Sequence, residues 1–136
     1  MELPQPVPDP ARVRLAEIRE TLLSLHKALL DSERTAYEIV HGAIGSPSAF
    51  LQLLINDARF AWLRPVTTLI VQIDETLAAK RPPATSKDFE QMITDTRALL
   101  TPSREENEFW KRYLTVVERD PGVALLHKTI ERQLMA

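Results

Sequence analysis

A chain of 136 residues, 44% hydrophobic and 26% charged, carries enough apolar mass for one core and too many charges to be membrane-embedded. It contains no cysteine, which excludes disulfides, thiolate metal sites, iron–sulfur clusters and a cysteine nucleophile. The formal net charge is -2, with Lys and Arg scattered among Asp and Glu, so no basic stripe exists to neutralise phosphates and nucleic acid is not an expected partner.

Residues 1–8 read Met-Glu-Leu-Pro-Gln-Pro-Val-Pro. Alternate prolines fix φ and remove donors, which predicts an extended arm distinct from a single domain over 9–136. A solvated tail is the first reading of that arm, a strap across the domain the second, and a ligand for a proline-reading module the third. Asp9-Pro10 is a helix start: the carboxylate caps free amides, and proline sits where its missing N–H does no harm.

The longest periodic stretch follows. Ala11, Leu15, Ile18, Leu22, Leu25, Leu29, Ser32, Ala36, Ile39 and Ala43 recur at helical spacing, predicting one helix from Pro10 to His41 or Gly42. A helix of that length, roughly 50 Å at 1.5 Å per residue, demands partners alongside it. Ser46-Pro47 starts a short second helix to about Ile55, apolar on most of its surface through Phe50, Leu51, Leu53 and Leu54, and therefore expected to be covered on more than one side. Asn56-Asp57 turns the chain into Phe60-Ala61-Trp62-Leu63-Arg64-Pro65, with one helical turn before the proline and a helix from Pro65 to about Lys80.

Arg81-Pro82-Pro83 ends that helix, and Thr85 or Ser86 caps the next, which reaches Leu100 before Thr101-Pro102. Ser103-Arg104-Glu105-Glu106 has the spacing of a capping box for a helix to Arg119, with Phe109, Trp110, Tyr113, Val116 and Val117 on one face. Asp120-Pro121 repeats the start signal for a last helix to about Leu134, the two helices forming one broken arm. No segment alternates as a strand does. The expected fold is all-α, an antiparallel four-helix-bundle-like domain with a long N-terminal helix and a short cross-helix.

Leu30-Asp31-Ser32-Glu33-Arg34, Phe60-Ala61-Trp62-Leu63-Arg64-Pro65 and Leu69-Ile70-Val71-Gln72-Ile73-Asp74 together resemble a family of uncharacterised bacterial helical proteins, over about the first 75 residues. The resemblance implies a bacterial cytosolic helical bundle. It implies no activity and no catalytic residue.

Several polar residues interrupt the apolar pattern. At about 100° per residue, Glu33 falls within about 20° of Leu22 and Val40 and about 40° of Leu29, in the middle of the stripe of the first helix. An isolated buried carboxylate costs several kcal/mol, so Glu33 requires a partner, for which Arg64 is a candidate. His26 and Tyr37 flank the same stripe, His127 lies on the apolar face of the last helix, and Asp74 borders that of the third. The first reading of these residues is separate buried pairs. The second is a ligand or divalent-metal site where Glu33, His26, His127 and Asp74 converge, although about 10 Å along the helix separates His26 from Glu33. Glu38-x-x-His41 is half of a ferritin-like carboxylate pair without its second half, a weak metal candidate; a helix-terminal histidine is the first reading of His41. Ser46 beside Gly45 reads as a cap rather than a nucleophile, and no phosphate loop, His-Glu-x-x-His or Gly-x-Ser-x-Gly occurs.

For Phe60 and Trp62 core packing is the first reading and a partner-facing role the second. With Phe50, Leu53 and Arg64 they form the candidate interface. The expected function is accordingly a self-associating, non-enzymatic interaction or scaffold module, a homodimer by default, with the ligand- or metal-binding bundle as the alternative, an enzyme of unrecognised mechanism third, and an unidentified protein partner left open. No cofactor is expected. The N-terminus lacks a basic region followed by an apolar one, and no run approaches the ~18 apolar residues of a membrane span, so the expected address is the cytoplasm.

Overall fold

The computed structural model describes residues 8–102 and 107–136, and among these the chain is all-α. Seven helices follow in order: α1 Pro10–His41, α2 Pro47–Asn56, α3 Ala58–Ala61, α4 Arg64–Ala78, α5 Ser86–Leu99, α6 Glu108–Arg119 and α7 Pro121–Met135. The proline-rich stretch up to Val7 and the Ser103–Glu106 capping box lie outside the described residues. Asn107 is the residue whose side chain caps α6, accepting from the Trp110 amide.

Local chemistry sets the helix starts. Asp9 accepts from the Ala11 amide at 2.9 Å and also from the Ser86 hydroxyl, so one carboxylate ties the starts of α1 and α5 together. The Ser86 hydroxyl and the backbone amides hold that carboxyl below its usual range. Asp120 accepts from the amides of Gly122 and Val123, and Thr85 forms a reciprocal capping box with Asp88. α1 ends at Gly42, whose φ of 83° and ψ of 172° lie in a region open essentially to glycine alone.

α1 is the spine. Ala11, Leu15, Ile18, Leu22, Leu25, Leu29 and Glu33 form its buried stripe. Along α1 the partners on α4 run in reverse order: Arg12 donates to the Leu77 carbonyl, Arg19 pairs with Asp74, and His26 bonds Thr67. α7 also returns along it, from the α6–α7 corner, where Arg119 at the end of α6 lies beside Ser32, to Leu134 beside Arg14. α5 fills the remaining side, with the Arg12 guanidinium 5.5 Å from the centre of the Phe89 ring. Arg14 and Arg97, from two different helices, both donate to the Leu134 carbonyl, satisfying orphan acceptors at the negative end of α7.

Three expectations are corrected. The periodic stripe of α1 outruns its cover: nothing beyond Glu33 is buried, and Ile39 and Val40 are 80% and 68% exposed. α2 contains Phe50, Leu51, Leu53, Leu54 and Ile55 yet buries none of them fully, because it packs mainly on the short α3 and touches α4 only at its end, where Arg64 donates to the Ile55 carbonyl. α6 and α7 are not one broken arm. Asp120 is extended, at φ -119° and ψ 109°, and the chain reverses there, bringing the Tyr113 hydroxyl within 2.7 Å of His127. Continuous helix would separate those residues by about 20 Å.

Candidate functional site

The polar residues that interrupt the apolar pattern are all accounted for, each by a different neighbour. Glu33 is 8% exposed. Its Oε1 accepts from Arg119 at 2.8 Å, and its Oε2 accepts from the Trp62 indole N–H at 3.4 Å. Arg119 also donates to the Ser32 hydroxyl at 3.0 Å. Both carboxylate oxygens are thus occupied by donors, the condition under which a buried carboxylate is tolerated. Arg119 is the partner, in place of Arg64, which donates instead to the Ile55 carbonyl. Sequence reasoning missed Arg119 because its position depends on the reversal at Asp120, which no local signal specifies.

His127 sits between two partners. The buried Tyr113 hydroxyl lies 2.7 Å from Nδ1, and Glu131 Oε2 lies 3.4 Å from Nε2. The Glu131 carboxylate favours the proton on Nε2, which leaves Nδ1 to accept from the Tyr113 hydroxyl, a phenol that burial and Glu131 raise above its ordinary range. The Trp110 and Phe109 rings pack against Tyr113, with centroids 5.4 and 5.8 Å away. This is an aromatic and hydrogen-bonded clasp between α6 and α7.

His26 lies on the other flank of α1, with Nε2 3.0 Å from the Thr67 hydroxyl, and burial holds its pKa below the usual histidine value. Asp74 pairs with Arg19, whose other bond goes to Glu20. Glu33, His26, His127 and Asp74 therefore do not converge: no two of them share a hydrogen bond or ion pair among the described residues. Nor is any group of three or more His, Asp or Glu side chains there placed to hold a metal ion. Glu38 is turned away from a shared site with His41, accepting from Arg34 Nε at 3.3 Å and from the Ile44 amide at 2.9 Å. His41 packs on Tyr37, with ring centroids 4.5 Å apart.

The candidate interface residues divide. Phe60 and Trp62 are 2% and 9% exposed, so in this fold they are core and not anchors for a partner. Phe60 is the hub of an aromatic chain, 5.9 Å from Tyr37 and 5.6 Å from Phe50, while the Arg34 guanidinium lies 4.8 Å from the Phe50 ring centre. That chain is the seam by which α2 is attached. Leu53 is half-buried and Arg64 is exposed. The apolar residues that do face solvent at this end are Ile39, Val40, Leu51 at 54% and Ile55 at 51%. Sequence periodicity marked the first two as core, because periodicity reports a helical face and not what lies opposite it.

Compared with protein-family models, with curated proteins and with solved structures, the chain has no significant match. No residue role is therefore carried into this site from another protein. Among the described residues, no helix is long and apolar enough to cross a membrane.

Proposed function

We propose that this protein is a non-enzymatic interaction module that associates with a second copy of itself through the end built from the last turns of α1 and from α2. The observation that carries this reading is α2: half of its ten residues are large and apolar, and none is buried. Ile39 and Val40 add further exposed apolar surface at the same end. Scattered exposed apolar residues are ordinary, but a helix of this composition attached along one seam leaves Leu51 and Ile55 more than half exposed.

Charge favours a second copy as the occupant. From Gly42 to Asn56 no side chain is charged, and beside it in the last turns of α1 the Glu38 carboxylate is paired with Arg34. A two-fold interface presses a patch against itself, so any charge near its centre meets its own like, whereas an uncharged patch escapes that repulsion. Desolvation is correspondingly cheap, and the packing of Leu51 and Ile55 supplies the driving force.

Sedimentation velocity on wild type and on Leu51→Glu tests the reading. The wild type is expected to sediment as a dimer at micromolar concentration, and the variant as a monomer with unchanged helicity by circular dichroism. A wild-type monomer, or a variant that dimerises as wild type does, removes the proposal.

A further inference from the structure

A cleft of about 450 Å³ opens between the middle of α1, the end of α2 with α3, and the first turns of α4. That volume lies in the range of small-molecule pockets, roughly 300–1,000 Å³. Leu30, Leu54, Ile55, Phe60 and Leu63 line it with apolar surface, while His26, Arg64, Thr67 and Thr68 supply its polar groups. It thus has the two-part character of a site for an amphiphile: a wide apolar wall and a small polar cluster.

The polar cluster has a definite charge. No acidic side chain lines the cleft. His26 is kept neutral at pH 7 by its burial and is engaged with Thr67, so it adds a dipole and no charge. Arg64 is the one cation in the lining. Its Nη2 donates to the Ile55 carbonyl, which fixes the guanidinium at the rim, and it has no carboxylate partner among the described residues. A guanidinium carries five N–H donors in a planar fork, so one backbone bond leaves a further donor pair for a ligand. Of four other cavities, three include an acidic side chain, Asp95 in the one that Arg64 also lines, and the fourth has neither acidic side chain nor Arg or Lys. The one between α1 and the α6–α7 corner sets Arg119 beside Asp31 and Asp120, with Glu33 already bound to that arginine. The one beside the Pro82-Pro83 turn is bordered by Glu75 and Asp88.

We propose that this cleft binds a medium-chain monocarboxylate, with its alkyl chain against Leu30, Phe60 and Leu63 and its carboxylate on the Arg64 guanidinium. One cation balances one negative charge, and the planar fork matches a carboxylate through two parallel hydrogen bonds. An alkylammonium of the same length meets Arg64 with like charge and is disfavoured. Leu54 gives the tail a second apolar wall and comes from α2, which buries nothing by itself. Ile55 borders both this cleft and the proposed self-association surface, but Leu51, the residue on which self-association is tested, does not line the cleft, so Leu51→Glu tests that surface without altering the cleft lining.

Titration calorimetry with sodium octanoate and octylamine on the full chain tests the site. Octanoate is expected to bind saturably at one site per chain, octylamine not at all. Arg64→Gln is expected to weaken octanoate by roughly tenfold or more, the loss of one charge-assisted pair. Leu54→Trp, which fills the cleft from a half-buried position, is expected to abolish binding while the circular dichroism spectrum stays that of wild type. Absence of saturable octanoate binding to wild type, equal affinity for octylamine, or undiminished affinity in Arg64→Gln each overturns the assignment. The comparison of the two ligands on wild type decides the question even if a variant misfolds.

Discussion

The two ends of α1 obey the same periodicity and have opposite fates. From Ala11 to Leu29 the stripe is covered by α4, α5 and α7, and Leu15, Ile18, Leu22, Leu25 and Leu29 are wholly buried. From Ile39 onward the same helix meets solvent, and the apolar α2 beside it is only partly buried at Phe50, Leu53 and Leu54. Between the two stands Glu33, held by Arg119 and Trp62 where the α6–α7 corner ends the cover. Amphipathic pattern is therefore a statement about supply of apolar surface, and tertiary packing decides how much of it is used within one chain.

The sharpest way to break this contrast is to truncate a side chain on each side of it. Leu25→Ala, within the covered stripe, is expected to lower stability by about 2–5 kcal/mol, since it loses both transfer energy and packing around the residual cavity. Urea denaturation reads the change directly, and a loss below 1 kcal/mol means that the core as described is not well packed at α1.

Glu33→Ala falls between. Removing the carboxylate strands the Trp62 N–H in the interior, whereas Arg119, 40% exposed, turns to water. The expected cost is about 1–3 kcal/mol. Glu33→Gln keeps an acceptor for Trp62 and is expected to cost less. A stabilised Glu33→Ala protein would make Glu33 a burden of the fold rather than its boundary lock.

The smallest effect is expected at the uncovered end. Leu51→Ala changes a residue already 54% exposed and is predicted to alter monomer stability by less than about 0.5 kcal/mol. Measured under monomeric conditions, a loss comparable with that of Leu25→Ala erases the distinction between covered and uncovered ends. Under the proposed self-association the wild-type midpoint rises with protein concentration, and Leu51→Ala is expected to lessen that dependence, because stability and assembly are then linked.

Much of the architecture was legible in the amino-acid sequence. Asp9-Pro10, Ser46-Pro47, Thr85 and Asp120-Pro121 start their helices, and Gly42 ends the first, because capping and proline stereochemistry act within a few residues. That Glu33 must have a partner also followed from helical geometry and the cost of a buried charge. The identity of that partner did not. Arg119 reaches Glu33 from 86 residues away, only because the chain reverses at Asp120. Likewise, the pattern placed His26 and His127 on the flank or face of apolar stripes, but only packing separated them, giving one to Thr67 and the other to Tyr113 and Glu131. Local sequence determined where each helix begins and which face is apolar, since those depend on interactions of near neighbours. Which faces meet, which polar groups pair, and which apolar surface is left over depend on the lengths and reversals of the whole chain, and only the tertiary structure decided them.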